Sequence, residues 1–385
     1  MFNFDYRNPT HIVFGKDRLA EIDKLVPQQA RVLVLYGGGS VKKFGTLDAV
    51  TKALGNRHVV EFGGIEANPR YETLMKAAVI AKAEHIDFLL AVGGGSVMDG
   101  TKFVALATHF EGDTATLLWN GTAAVDSSKI LPLATVATLP ATGSEMNAFA
   151  VVSHPKGKFG VHHPQCYPQF SVLDPSLTFT LPKIQVANGV VDAFVHVCEQ
   201  YVTYAADARI QDRFAEGILQ TLIEVGAVTV ANPEDYDARA NLVWAATNAL
   251  NGLIGTGVPQ DWATHMIGHE LTARFGIDHA QTLAIVMPSL WQVCREQKRT
   301  KLLQYGERVW HITEGSEDER IDAAISKTRE FFESLGIKTR LRDYDAAKAD
   351  INDIIAALEA HHMTKLGEHQ TITPAVSRQI LELAW

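Results

Sequence analysis

Asp87-Phe-Leu-Leu-Ala-Val92-Gly93-Gly94-Gly95-Ser96 joins an apolar run to three glycines and a serine. The same arrangement occurs upstream in Arg31-Val-Leu-Val-Leu-Tyr36-Gly37-Gly38-Gly39-Ser40. Apolar runs of this length without alternation predict strands covered on both faces, as in a parallel sheet. Helical apolar spacing follows each glycine turn and covers 71–83, while His58-Val-Val-Glu61 and Leu133-Ala-Thr-Val-Ala137 read as two further strands. Strand, turn and helix in this alternation predict an α/β domain, Rossmann-like, with helices on both faces of the sheet. Around Ser171-Val-Leu-Asp174-Pro175 the pattern changes. Helical spacing then dominates 185–204, 208–230, 238–250, 261–275, 282–293, 298–310, 318–335 and 377–384, with Pro and Gly between the stretches. The chain is therefore expected to hold an α/β domain over 1–180 and an all-helical domain over 181–385, without a long linker.

A chain of 385 residues is long for one core, which agrees with two domains. It is 46% hydrophobic and 21% charged with a net charge of −9, so it lacks the basic footprint of a nucleic-acid binder. Cys166, Cys198 and Cys294 are widely spaced and form no Cys-x-x-Cys pair, as expected of buried thiols in a reducing compartment. Neither a secretory signal nor an apolar run long enough for a bilayer is read, so the expected location is the cytoplasm, with no membrane partner.

Glycines between a strand and a helix let the backbone approach a phosphate, and the helix start offers unpaired N–H groups. Gly37, Gly38, Gly39 and Ser40, and Gly94, Gly95 and Ser96, are thus candidate dinucleotide contacts; two tight turns are the plain alternative. Thr138, Thr142 and Ser144, in the turn Thr138-Leu-Pro-Ala-Thr-Gly-Ser144, could hydrogen-bond a nucleotide or cap a helix. Asp99 stands three residues after Ser96, either as a capping-box acid or close to a nicotinamide or its ribose. The first turn carries no acid to meet ribose hydroxyls, and Lys42 and Lys43 follow it, which favours NADP over NAD. Phe149 and Trp262 could wall the nicotinamide, and Lys158 could reach the cofactor.

The second half supplies the residues of a metal site. Asp192 and His196 are four apart, and His265, His269 and His279 follow. Residues at i and i+4 share a helix face, so a carboxylate and an imidazole can converge on one cation. Nitrogen and oxygen donors of this kind suit zinc or iron.

Taken together, Gly93-Gly-Gly-Ser-Val-Met-Asp99, Thr138-Leu-Pro-Ala-Thr-Gly-Ser-Glu145, Asp192-x3-His196 and His265-x3-His269-x9-His279 resemble the iron-containing, or group III, alcohol dehydrogenases. Val186-Ala-Asn-Gly-Val-Val-Asp192 and Gly257-Val-Pro-Gln-Asp-Trp-Ala-Thr-His265 look most like the NADPH-dependent aldehyde reductases of the butanol-dehydrogenase type. The resemblance covers essentially the whole chain. It implies a dehydroquinate synthase-like fold, an NADP(H)-binding domain followed by a metal-binding catalytic domain, and a homodimer. It also implies Asp192, His196, His265 and His279 as ligands of one divalent metal, with His269 beside the site.

The expected reaction is reversible hydride transfer between the nicotinamide and a small aldehyde or primary alcohol, the metal polarising the oxygen. His269 is expected either to relay a proton to the alkoxide or only to orient the site. Two other functions compete. A lyase resembling 3-dehydroquinate synthases would need many basic groups, whereas Asn251-Gly-Leu-Ile-Gly-Thr-Gly-Val-Pro is largely apolar. An NADP sensor with a structural metal would be expected to use a closed, often cysteine-rich site.

Overall fold

Six strands lie side by side in the order β1-β8-β5-β4-β2-β3, every neighbouring pair parallel. They are β1 (His11–Phe14), β2 (Arg31–Tyr36), β3 (His58–Phe62), β4 (Phe88–Gly93), β5 (Leu133–Ala137) and β8 (Phe170–Leu173). A separate antiparallel hairpin is formed by β6 (Phe149–His154) and β7 (Gly157–His162). This computed structural model describes residues 1–385. The chain divides into two units, Arg7–Leu181 and Met1–Tyr6 with Pro182–Trp385.

In the α/β unit, successive strand side chains point to opposite faces. Val32, Val34, Leu90, Val92 and Val136 pack on one side with α3 (Thr46–Leu54), using its Leu47, Val50 and Leu54. Leu33, Leu35, Leu89, Ala91 and Leu133 pack on the other with α4 (Tyr71–Ala83) and α5 (Gly95–Ala107), through Leu74, Ala77, Met98 and Phe103. The short helices α1 (Ile22–Leu25), α2 (Ser40–Lys43) and α6 (Thr116–Trp119) complete this unit. The register sets Tyr36 beside Val92 and Gly93 beside Ala137. Both glycine turns and the Thr138 turn therefore emerge from one carboxyl edge, where such sheets bind ligands.

The other unit contains α7 (Lys183–Tyr201), α8 (Arg209–Ala231), α9 (Tyr236–Ala249), α10 (Ala263–Phe275), α11 (His279–Val293), α12 (Arg295–Trp310), α13 (Glu317–Ser334), α14 (Ile351–Ala360) and α15 (Pro374–Ala384). Its one extended pairing is an isolated bridge between Leu366 and Ile372. Helix α7 is buried from Val186 onward save for half-buried Asn188, with Val186, Val190, Phe194 and Val197 in the core, as a central helix must be.

Two expectations need correction. Met1–Tyr6 groups with the helical unit, because the Phe2 N–H donates to Gly257 O at 2.9 Å and the Phe2 ring meets Tyr204 edge-on. And one apolar run is long enough for a bilayer: α8 spans 23 residues with a mean hydropathy of 1.4. It carries Glu216 paired to Arg213 and Arg308, and it buries Leu219 and Leu222 on one face, features of a helix packed against a protein core along one side.

Candidate functional site

Helix α7 presents Asp192, His196 and Glu199 at i, i+4 and i+7, one polar stripe on an otherwise apolar, buried helix. Helix α10 contributes His265 and His269 from consecutive turns, and His279 is the first residue of α11. Ligand atoms of Asp192, His265 and His279 lie within 4.8 Å of one another. The Nε2 atoms of His196 and His279 each stand 3.7 Å from Asp192 Oδ1, too far for a hydrogen bond. The His196 and His265 rings stack with centroids 4.8 Å apart. His269 lies beside this group, 5.0 Å from the His279 ring and 6.3 Å from that of His265.

These residues fit a divalent cation. Asp192 Oδ1 and His265 Nε2 are buried and make no hydrogen bond, a costly arrangement for two acceptors unless something positive serves both. Burial holds the His265 imidazole down to about 4, keeping it neutral as a ligand must be. Its Nδ1 contacts a Glu199 carboxylate oxygen, and the other Glu199 oxygen accepts the Thr264 N–H at 2.7 Å. Burial and then the neighbouring Asp261 carboxylate push Glu199 well above the usual carboxylate range. Trp262, with its ring 5.3 Å from that of His265, has a left-handed backbone (φ 63°).

In the α/β unit the glycine turns divide by role. At Gly38 and Gly39 an added Cβ would meet nothing, and Gly39 is left-handed (φ +102°) as it opens α2. At Gly37 a Cβ would meet Ile65 O at 3.3 Å. At Gly94 it would lie 3.1 Å from Leu139, and at Gly95 it would collide with Thr142 at 2.5 Å. The second set of glycines is thus required by the close approach of the Thr138–Ser144 turn. Thr138 joins that turn to β4 through its N–H, which donates to Gly93 O at 3.0 Å. Ser96 Oγ accepts the Asn68 N–H at 3.2 Å, and Lys158 Nζ donates to Asn68 Oδ1 at 2.7 Å, so Ser96 and Lys158 are brought to one place. Phe149 is exposed, and its ring lies 4.5 Å from that of His162 across the hairpin.

Several side chains differ from their sequence reading. Asp99 caps no helix, since α5 starts at Gly95; its oxygens accept from Ser144 Oγ (2.6 Å) and Val151 N (2.8 Å). Ser144 is buried and also accepts from Lys102 Nζ at 2.7 Å, which makes it a bridge inside the scaffold. Lys42 pairs with Glu61 at 3.1 Å, so the acid on β3 is already neutralised, whereas the Lys43 ammonium rests over the Phe44 ring. His163 is buried and its Nδ1 accepts the Gln165 N–H. All three cysteines are buried free thiols; burial pushes Cys166 up to about 12 and Cys294 up to about 11, so neither is a nucleophile.

Sequence reasoning passed over Glu199 and Lys102. For Glu199 the signal was its place on the Asp192/His196 face; for Lys102 there was none, since its three acceptors come from another segment, residues 144–149.

Residues 9–175 match the family model for iron-containing alcohol dehydrogenase, and residues 186–384 match the C-terminal model of the same family. The NADPH-dependent aldehyde reductase YqhD of Escherichia coli K12 is 58% identical over 388 residues, spanning 100% of both chains. NADP-dependent alcohol dehydrogenase 3 of Entamoeba histolytica is 39% identical, spanning 99% of this chain and 98% of its own. Among solved structures, E. coli K-12 YqhD aligns with a TM-score of 0.98 at 58% identity, covering 100% of this chain and 99% of that one. NADH-dependent butanol dehydrogenase A of Thermotoga maritima aligns at 0.94 and 34% identity, with the same coverage. Both halves of the sequence and the whole backbone lead to one conclusion: the chain belongs to the iron-containing alcohol dehydrogenase family.

Proposed function

We propose that the protein is an NADP(H)-dependent alcohol dehydrogenase acting chiefly as an aldehyde reductase on small aldehydes. The observation that carries this reading is the buried Asp192/His265/His279 cluster, with His196 beside it, in a chain 58% identical to an enzyme named an NADPH-dependent aldehyde reductase. Asp192, His196, His265 and His279 would hold one divalent cation, zinc or iron, which when bound supplies Lewis acidity at a carbonyl or alcohol oxygen. The hydride chemistry belongs to the nicotinamide.

The chain's own residues bind, orient and handle the proton. Gly37, Gly38 and Gly39 would meet a phosphate at the first turn, which is open at Gly38 and Gly39, and Ser40 and Lys43 would face a 2′-phosphate. Gly94, Gly95, Ser96, Thr138 and Thr142 shape the second site at the same sheet edge, and Lys158 and Phe149 flank it from the hairpin. Asp99 and Ser144 support that turn from within. His269, adjacent to His265 and His279, holds or passes the proton that the product alcohol gains. Trp262 walls the metal cluster with apolar surface, which suits uncharged substrates over the phosphorylated acids of a lyase.

A cytoplasmic homodimer completes the reading. Three reduced, buried thiols support the compartment, and exposed Ile210, Phe214 and Trp244 on α8 and α9 support self-association. Oxidation of NADPH with butanal, followed at 340 nm against no-aldehyde and metal-stripped controls, tests the activity; absence of turnover after zinc or ferrous ion is restored contradicts it.

A further inference from the structure

Helix α10 begins without a side-chain cap of its own: its first flanking residue is Trp262, in the left-handed conformation. The first N–H groups of the helix are satisfied by two carboxylates. Asp261 Oδ1 accepts from Ala263 N at 3.1 Å, and Glu199 Oε1, from α7, accepts from Thr264 N at 2.7 Å. Glu199 is only 2% exposed, and its second oxygen meets Nδ1 of His265, whose Nε2 makes no hydrogen bond. A deeper layer fixes this arrangement. The Asp261 N–H donates to Glu199 O at 2.8 Å, and Asp261 Oδ2 pairs at 2.9 Å with buried Lys298, which also pairs with Glu368 at 2.7 Å.

We infer that Glu199 is the positioning residue that fixes the tautomer of His265: it holds the ring proton on Nδ1 and so keeps the Nε2 lone pair directed at the metal. This rests on the metal reading above. The logic is one of donors and acceptors. One Glu199 oxygen must accept from a backbone N–H, which can only donate, and the other faces an imidazole nitrogen. With a cation at Nε2 offsetting the burial that raises Glu199, the ionised carboxylate accepts from both, which leaves the proton on Nδ1 and a bare Nε2. In Glu199→Gln the amide oxygen stays with Thr264, so the amide nitrogen faces Nδ1 and can only donate. The imidazole proton must then move to Nε2, the atom that should bind metal. The substitution preserves size, the helix cap and the hydrogen-bond count; it removes one charge and moves the ring proton, and the ring spectra read the second change directly.

The test measures zinc affinity by competition with a chromophoric chelator, alongside the thermal midpoint of the metal-free proteins and 15N spectra of the His265 ring, assigned with His265→Asn. The expected result is a zinc dissociation constant raised roughly 10- to 100-fold in E199Q. The metal-free midpoint should stay near that of the unsubstituted chain, with the ring protonated at Nδ1 in the unsubstituted protein and at Nε2 in E199Q. A zinc affinity within about twofold of the unsubstituted protein, on the scale where effects of this kind reach tenfold, would overturn the inference. So would an unchanged tautomer in E199Q, or an Nε2–H ring in the unsubstituted protein, a readout that stands even if the variant fails to fold. Failure of the unsubstituted protein to bind zinc or ferrous ion is a different result: it removes the metal reading and this inference with it.

Discussion

Gly38 is where one side chain would choose between the two nicotinamide dinucleotides. An added Cβ there has open space and no left-handed backbone to strain, so Gly38→Asp introduces a carboxylate cleanly. Two like unit charges about 4 Å apart repel by about 1–4 kcal/mol near a protein surface. Steady-state kinetics should therefore show the NADPH-to-NADH ratio of kcat/KM falling by about tenfold or more; an unchanged ratio would move the 2′-phosphate away from this turn. His269→Ala should lower kcat by about 100-fold or more while zinc stays bound, as loss of a positioned proton donor does. Weakened zinc binding instead would assign His269 to orienting the site. At this scale the sequence was most readable where spacing carried the chemistry. Asp192 and His196 stood out because helical periodicity and ligand chemistry coincide, whereas the choice of His265 and His279 over His269 came from the family resemblance. Glu199 lay on the same face yet binds nothing but a ring nitrogen and a backbone N–H, and such a partner is defined by another helix.

Among elements, α5 and the 138–149 segment are locked together by one buried ammonium. Lys102 Nζ donates to Ser144 Oγ, Asn147 Oδ1 and Phe149 O at 2.7, 3.0 and 2.8 Å. Lys102→Met should destabilise the unit by about 3–5 kcal/mol, because buried Asp99 loses its counter-charge; chemical denaturation measures it. Burial also holds Lys102 down to about 8 from 10.5. Between these values the unfolded chain binds more protons than the folded one, so this residue's contribution to stability rises with pH across that window. The stability difference between the native chain and Lys102→Met should increase from pH 8 to pH 10.5, and a flat or falling difference would contradict the assignment. The adjacent strands β5, β4 and β2 were legible as unbroken apolar runs, and the edge strand β3 as a shorter one. His11–Phe14 and Phe170–Leu173 are only four residues each and gave no comparable signal. The hairpin was hidden because Pro155-Lys-Gly-Lys reads as a polar loop, although Phe149 and His162 pair at its far end. Helix α14 escaped because it is only ten residues long and follows an irregular connection over 335–350 that mixes charged with buried apolar residues.

For the molecule as a whole, the order of motifs mattered more than any one of them. A glycine turn alone is a turn; two at one carboxyl edge, followed by an all-helical half with clustered imidazoles, define a two-part enzyme. The proposed metal ligands come from α7, α10 and α11, so a bound cation would tie three helices together. Removing it with a chelator should lower the melting temperature: a ligand at about 1,000 times its dissociation constant contributes about 4 kcal/mol, worth roughly 8–16 °C for a domain of this size. Calorimetry with and without chelator checks this. The central claim is that hydride passes from NADPH to a small aldehyde in a metal-dependent way. It is tested most directly with NADPH deuterated at the transferring C4 position, butanal, and protein stripped of metal or reloaded with zinc or ferrous ion. The account predicts deuterium at C1 of the butanol formed by the reloaded protein and none above background with the stripped one. Unlabelled butanol, or equal labelling with and without metal, would contradict it.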